Sequence, residues 1–98
     1  MIYRVVRLHL RSDATEQFEA FFHERKPLIE AFEGCYRTDL LRDTKEPDVY
    51  YTLSEWESEA HLDQYRFSAF FKETWTFTKS LFAGKAQAFS GAPVVPKH

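Results

Sequence analysis

Trp56 is the residue of this sequence best placed to handle a ligand. It ends a strand-forming run, VYYTLSEW, and is followed by Glu57, Ser58 and a helical pattern, which sets a large amphipathic ring at a sheet-to-helix corner. Its indole N–H can only donate, so it can orient a ligand oxygen. The same ring can equally plug the space between sheet and helix. Tyr65 and Trp75 bring further aromatic surface on the segments that follow, where core packing is the competing role.

The nucleophiles and metal ligands are poorly supported by comparison. His61 lies in EAHLD, two steps from Glu59 and two from Asp63. Helical residues two apart point in different directions, so the three cannot converge on one metal, and a solvated helix face is the expected role. His23 beside Glu24 has no second histidine one turn away, and His98 belongs to the C-terminal tail. His9, at the end of a strand, can titrate near neutrality and is the one candidate base, although an edge or interface position explains it as well. Cys35 directly follows Gly34 with no base beside it, which suits a small buried residue at a corner better than a nucleophile. Three isolated glycines cannot build a phosphate-binding loop.

The composition narrows the field further. The chain has 98 residues, 44% of them hydrophobic and 29% charged, enough to bury one core and too few for two domains. We expect a single domain over residues 1–91 and a tail over 92–98 that carries two prolines. Ten Phe, five Tyr and two Trp are much aromatic surface for so short a chain, and they either make an aromatic-rich core or line a pocket, a subunit interface or both. A net charge of −2 with basic residues scattered singly gives no electrostatic support for nucleic-acid binding. The opening MIYRVVRLHL lacks the long apolar stretch of a signal peptide, no run approaches membrane-spanning length, and one cysteine fits a reducing compartment. These features together lead us to expect a cytoplasmic protein with no membrane partner.

Residues 2–10 alternate as a strand, with Ile2, Val6, Leu8 and Leu10 on one face and Tyr3, Val5, Arg7 and His9 on the other. Asp13 and Glu16 resemble a capping box for a helix whose one side carries Phe18, Phe21, Phe22 and Arg25. Pro27 should kink or restart that helix near Lys26, and Gly34 should end it in the left-handed conformation. A strand from Tyr36 to Leu41, a polar turn DTKEPD and a strand from Val49 to Trp56 make a hairpin. Ser58 and Ser68 can cap two short helices, the second with Phe70, Phe71, Trp75, Thr78, Leu81 and Phe82 at helical spacing up to Gly84. A last strand is expected over KAQAFS. The order β-α-β-β-α-β is the ferredoxin-like split arrangement of an α+β fold. Its third strand has no solvent-type face, with Val49, Tyr51 and Leu53 on one side and Tyr50, Thr52, Ser54 and Trp56 on the other. Helices can cover only one side, so the bare side calls for a second copy of the chain.

Gly34 and Cys35, a strand, LSEWES at 53–58, and then Tyr65, Ser68, Phe70 or Phe71, Lys72 and Trp75 form a pattern that resembles the antibiotic biosynthesis monooxygenase family of dimeric α/β barrels over nearly the whole chain. The resemblance implies a homodimer packed sheet against sheet, with a ligand cavity between each subunit's sheet and helices. It also implies either a cofactor-free oxygenase of phenolic or quinol compounds or a haem-degrading enzyme. The haem-degrading members use an Asn on the first strand, the Trp of the third strand and a His on the last helix. Here those positions fall near Val6, on Trp56 and on Trp75, which disfavours haem. The aromatic-polyketide oxygenases use a pocket Asn beside the Trp and a Tyr. This chain has no Asn, so Thr52 or Ser54 would have to substitute.

The resulting expectation is a cofactor-independent monooxygenase of a small aromatic, phenolic or quinol-type substrate, with Trp56 orienting the substrate and Tyr65, Ser68, Phe71 and Trp75 shaping the pocket. A dimeric ligand-binding or stress-related protein using the same cavity without catalysis is the alternative from another class. An isomerase or decarboxylating enzyme with His9 as base is the third.

Overall fold

The computed structural model describes residues 1–95. Its elements are β1 (Ile2–His9), a 3-10 turn (Ser12–Ala14), α1 (Thr15–Glu30), β2 (Cys35–Arg42), β3 (Val49–Trp56), α2 (Glu59–Arg66), α3 (Ala69–Lys79) and β4 (Gln87–Gly91). The strands form one open antiparallel sheet in the order β2-β3-β1-β4. This is the α+β ferredoxin-like fold, with the second helix divided into α2 and α3. His98 and the end of the expected tail lie outside the described residues, and 92–95 have no regular secondary structure.

Strand alternation decides which side chains the helices cover. The pairs Val6↔Thr52, Leu8↔Tyr50, Leu40↔Thr52 and Thr38↔Ser54 put these residues and Trp56 on the helix side. Two apolar clusters form there. One joins Leu8, Leu10, Ala14, Phe18, Phe22, Tyr50 and Leu81; the other joins Ile29, Trp56 and Leu62, with Phe32, Tyr65 and Phe70 packed around it. The opposite face carries Val5, Leu41, Tyr51, Leu53 and Phe89, and among the described residues no helix packs on it. Leu41 and Phe89 are 49% and 60% exposed there, which leaves apolar area open on that face.

Four local expectations are corrected. The capping box does not form: Asp13 instead takes the Arg11 Nε–H at 3.3 Å, and a 3-10 turn leads into α1 behind an Ala14 cap without a side-chain bond. Pro27 does not break α1, which runs unbroken to Glu30. A proline removes only one helical bond, and the helix is pinned on both sides of it by buried Phe22 and Ile29. The helix at the end of the aromatic run stops at Lys79, five residues before Gly84. Ser80 turns its hydroxyl back to the Phe77 carbonyl, while Arg11 N–H bonds the Leu81 carbonyl, so Leu81 and Phe82 leave the helix and Phe82 bridges Leu10. Gly84 serves a close approach instead, for a Cβ there would lie 3.1 Å from His9 Nδ1. The last strand sits at Gln87–Gly91, slightly later than KAQAFS.

Gly34 does adopt the left-handed conformation, at φ 83°. A second reason reserves the position for glycine, since a Cβ would stand 2.4 Å from the His61 ring. Strand β2 is an edge, and α1 shields it: Glu30 accepts the Thr38 N–H at 3.0 Å while Lys26 donates to the Thr38 carbonyl and to Asp39. The backbone groups that an edge strand leaves open to another chain are thereby filled at Thr38. The Thr38 N–H first, and then Lys26, which also donates to Glu30 at 2.9 Å, hold the Glu30 carboxyl below its ordinary value.

Candidate functional site

Where the two apolar clusters fail to meet, they leave a cavity of about 90 Å³ between the sheet and the helices. Leu8, Phe18 and Phe22 of one cluster and Ile29, Trp56 and Leu62 of the other contribute to its wall. An apolar cavity of about 150 Å³ accepts benzene, so this space suits a single ring reaching towards the opening better than a fused polycycle.

Of the residues singled out in the sequence, Trp56, Tyr65, Phe71 and Trp75 line the cavity and Ser68 does not. Trp56 is fully buried and stacks on Tyr65 at 5.0 Å and 26°. Its indole N–H is already committed to Ser54 Oγ at 3.0 Å, so it cannot also orient a ligand. Ser54, itself in the wall, therefore accepts from Trp56 and keeps its own hydrogen to donate. Phe71 meets Tyr65 edge-on at 5.1 Å and stacks on Trp75 at 6.0 Å and 10°, giving a continuous aromatic wall. Ser68 caps α3, accepting the Phe71 N–H at 3.0 Å and donating to the Tyr65 carbonyl at 2.6 Å, and borders a shallow groove on the outer side. The Tyr65 hydroxyl has no hydrogen-bond partner among the described residues, and burial above all raises its pKa, so it stays a neutral donor.

The remaining candidates stand apart from this space. Cys35 packs at the edge of the smaller cluster, and burial first, then the Glu30 charge, pushes its thiol up to about 11, which leaves almost no thiolate at neutral pH. His9 is exposed, and its carbonyl receives the N–H groups of Ala83 and Gly84. His61 is more engaged than a solvated face residue: its ring packs over Gly34, its Nδ1 lies 2.7 Å from Ser58 Oγ, and its Nε2 lies 3.3 Å from Glu57. Ser58 Oγ also accepts the His61 backbone N–H as the cap of α2, which gives the group a structural task at a helix start. Glu59 and Asp63 take no part, and no group of three or more metal-ligating side chains occurs among the described residues.

The family model for antibiotic biosynthesis monooxygenase matches residues 1–75. The chain belongs to this family. Solved structures agree in fold. A Mycobacterium tuberculosis protein, Rv0793, is 18% identical with a TM-score of 0.86, covering 99% of this chain and 98% of that one. A structure described as an antibiotic biosynthesis monooxygenase is 17% identical with a TM-score of 0.88, covering 97% and 100%. A conserved protein from Methanosarcina mazei is 21% identical with a TM-score of 0.85, covering 93% and 91%. Identities this low establish the fold alone. No curated protein sequence matches the chain.

Within this family the haem-degrading pattern does not suit the site. The wall contains no histidine, cysteine or methionine to hold an iron, and Trp75 is packed between Phe71 and Phe82. Sequence reasoning missed the polar part of the wall, made by Arg4, Arg25, Arg66 and the hydroxyls of Thr38, Thr74 and Thr78. One signal was available, namely that Arg25 falls on the same stripe of α1 as Phe18, Phe21 and Phe22, where a cation at a core position needs a reason.

Proposed function

We propose that this member of the antibiotic biosynthesis monooxygenase family is a cofactor-independent monooxygenase of a single-ring phenol or quinol. The supporting observation is the make-up of the cavity: an aromatic wall of Trp56, Tyr65, Phe71 and Trp75, two sheet hydroxyls at Thr52 and Ser54, and no carboxylate, imidazole or thiol in the lining. Such a wall can hold and orient a ring but offers no nucleophile or base, so the reacting electrons come from the substrate. The substrate hydroxyl gives its proton to water, the electron-rich ring anion transfers one electron to O2, the two radicals combine at carbon, and the peroxide takes a proton back from water and loses water to leave a carbonyl. One oxygen atom stays in the product, the other leaves as water, and the substrate supplies both electrons. Ser54 would donate to the substrate oxygen on which negative charge rests, in place of the asparagine this chain lacks.

Metal-free protein incubated with 18O2 and a panel of hydroquinones is expected to consume oxygen and release a quinone carrying one labelled atom. Turnover should fall at least tenfold in Ser54→Ala. Absence of uptake across the panel, with the same compounds binding in the cavity, would replace the enzyme by the ligand-binding protein that the missing acid–base groups also allow.

The assembly proposed is a homodimer closed over the bare sheet face, supported by the exposure of Leu41 and Phe89 and by their apolar neighbours Val5 and Leu53. Sedimentation equilibrium at micromolar concentration should return twice the 11.6 kDa chain mass. A monomer mass would reject the dimer.

A further inference from the structure

The cavity is charged in one sense only. Arg4, Arg25 and Arg66 contribute to its wall and no acidic residue does, in a chain whose net charge is −2. Of the three, Arg25 is the one that lies against aromatic rings. Its guanidinium lies 5.0 Å from the Phe21 ring centroid and 5.1 Å from that of Phe70, held between two aromatic faces. Its terminal nitrogens make long bonds, 3.3 Å to Thr74 Oγ1 and 3.4 Å to the largely exposed Glu73 carboxylate. Its Nε is buried and, among the described residues, is the only buried side-chain polar atom with no hydrogen-bond partner.

A buried donor without an acceptor costs free energy that a ligand can recover. Arginine has five N–H donors in a planar fork that matches a carboxylate, and the protein engages two of them here. Glu73 does not meet the need: it reaches one terminal nitrogen from the solvent side and lies outside the cavity wall. Arg4 and Arg66 make the same space more positive, and burial first, then the Arg66 charge, lowers the Arg4 pKa.

We propose that Arg25 is the specificity-determining residue of the cavity and that it selects an aromatic ring bearing a carboxylate, which the Nε–H and a neighbouring hydrogen of the fork receive. The inference rests on the cavity being the ligand site and names the class of ring it takes. The ring stacks within the aromatic wall and its anionic substituent lies against Arg25. A neutral ring of the same shape offers the Nε–H a weaker acceptor without charge and binds more weakly.

The test is calorimetric titration, without oxygen, of the whole protein with 2,5-dihydroxybenzoate and with 2,5-dihydroxybenzamide, a pair matched in shape and differing in charge. The wild type is expected to prefer the carboxylate by about 10- to 100-fold, the ratio that a charge-assisted bond supplies. Arg25→Gln should reduce that preference to within about threefold, the size of a residual long-range field from the other arginines. Arg25→Lys should keep part of it as a point charge without the fork.

Equal wild-type affinity for the two compounds would overturn the inference and leave the aromatic cavity standing as a site. A preference that survives Arg25→Gln and disappears in Arg4→Gln would overturn it in favour of Arg4. Binding of neither compound would remove both the inference and the reading of the cavity on which it rests. Should Arg25→Gln fail to fold, the Nε–H resonance of Arg25 in 15N-arginine-labelled wild type gives the answer: a shift with the carboxylate but not the amide supports the inference, and no shift overturns it.

Discussion

Trp56→Ala is expected to destabilise the chain by about 3–5 kcal/mol, the usual cost of deleting a large ring from a packed interior. The side chain is fully buried, and it is the largest member of a cluster whose other buried members are only Ile29 and Leu62. Removing it also takes away the face on which Tyr65 stacks and the donor that Ser54 accepts. The void would merge with the existing cavity, so the surroundings have little reason to collapse and the loss should fall high in that range. Urea unfolding with an unchanged slope measures it. A loss below about 1 kcal/mol would mean that the ring is not packed as described. Trp56→Phe separates support from chemistry, since it keeps most of the ring while removing the N–H. Its stability cost should be a fraction of that of alanine, whereas turnover should fall with the Ser54 hydroxyl no longer held. Unchanged turnover in Trp56→Phe would take Trp56 out of the site.

The element order and the site's aromatic half were legible because they are written in local periodicity. Alternation over 2–10 and 49–56 sorted Leu8 to one face of its strand and Tyr50 and Trp56 to one face of theirs, and helical spacing put Phe71 and Trp75 on one side; the structure shows that these are the covered faces. Gly34 was legible for the same reason, a left-handed helix end being a local matter. The misread features were decided by distant partners. Asp13 looked like a cap until Arg11 took its carboxylate, and the end of α3 depended on Arg11 reaching Ser80 and Leu81 across the chain. Pro27 survives within α1 because both flanks are anchored, Lys26 to strand β2 and Ile29 in the core.

The polar half of the site was hidden by the same limitation. Arg4 on β1, Arg25 on α1 and Arg66 at the end of α2 are isolated in sequence, and scattered basic residues normally mean a solvated surface. They meet because the sheet brings β1 beside β3 while both helical layers lie on one side of it. Ser54 shows the complementary case. Its candidacy, shared with Thr52, followed from the family resemblance and the missing asparagine, yet only the bond from Trp56 shows that its own hydrogen is left to donate. Composition identified an aromatic-rich fold, and topology gave that fold a positively charged interior.

That interior also sets how the protein should respond to alkali, and the expected result is a steep loss of stability above about pH 9. Burial first, then the Glu30 charge, pushes the Cys35 thiol from an ordinary 9.0 up to about 11. Burial first, then the hydrogen bond to Glu19, pushes Tyr50 from 10.0 up to about 12. Tyr65 is raised as well, by burial above all and then by Cys35. In each case the folded chain keeps a proton that the unfolded chain gives up at the ordinary value. The stabilisation from these groups is therefore complete below about pH 9 and is lost as pH climbs through 9–12, Cys35 first and the tyrosines after it. Each group titrating only in the unfolded chain contributes about 1.4 kcal/mol per pH unit to the slope. Urea midpoints measured from pH 7 to 11 should stay level and then fall, and Tyr65→Phe should flatten the limb above pH 10 by about that amount. Tyr65→Phe is the informative variant because no hydrogen bond contributes to the raised pKa of the hydroxyl it removes, so its cost at neutral pH is small. An alkaline limb of the same steepness in Tyr65→Phe would mean that Tyr65 titrates alike in the folded and unfolded chains, so that burial does not raise its pKa.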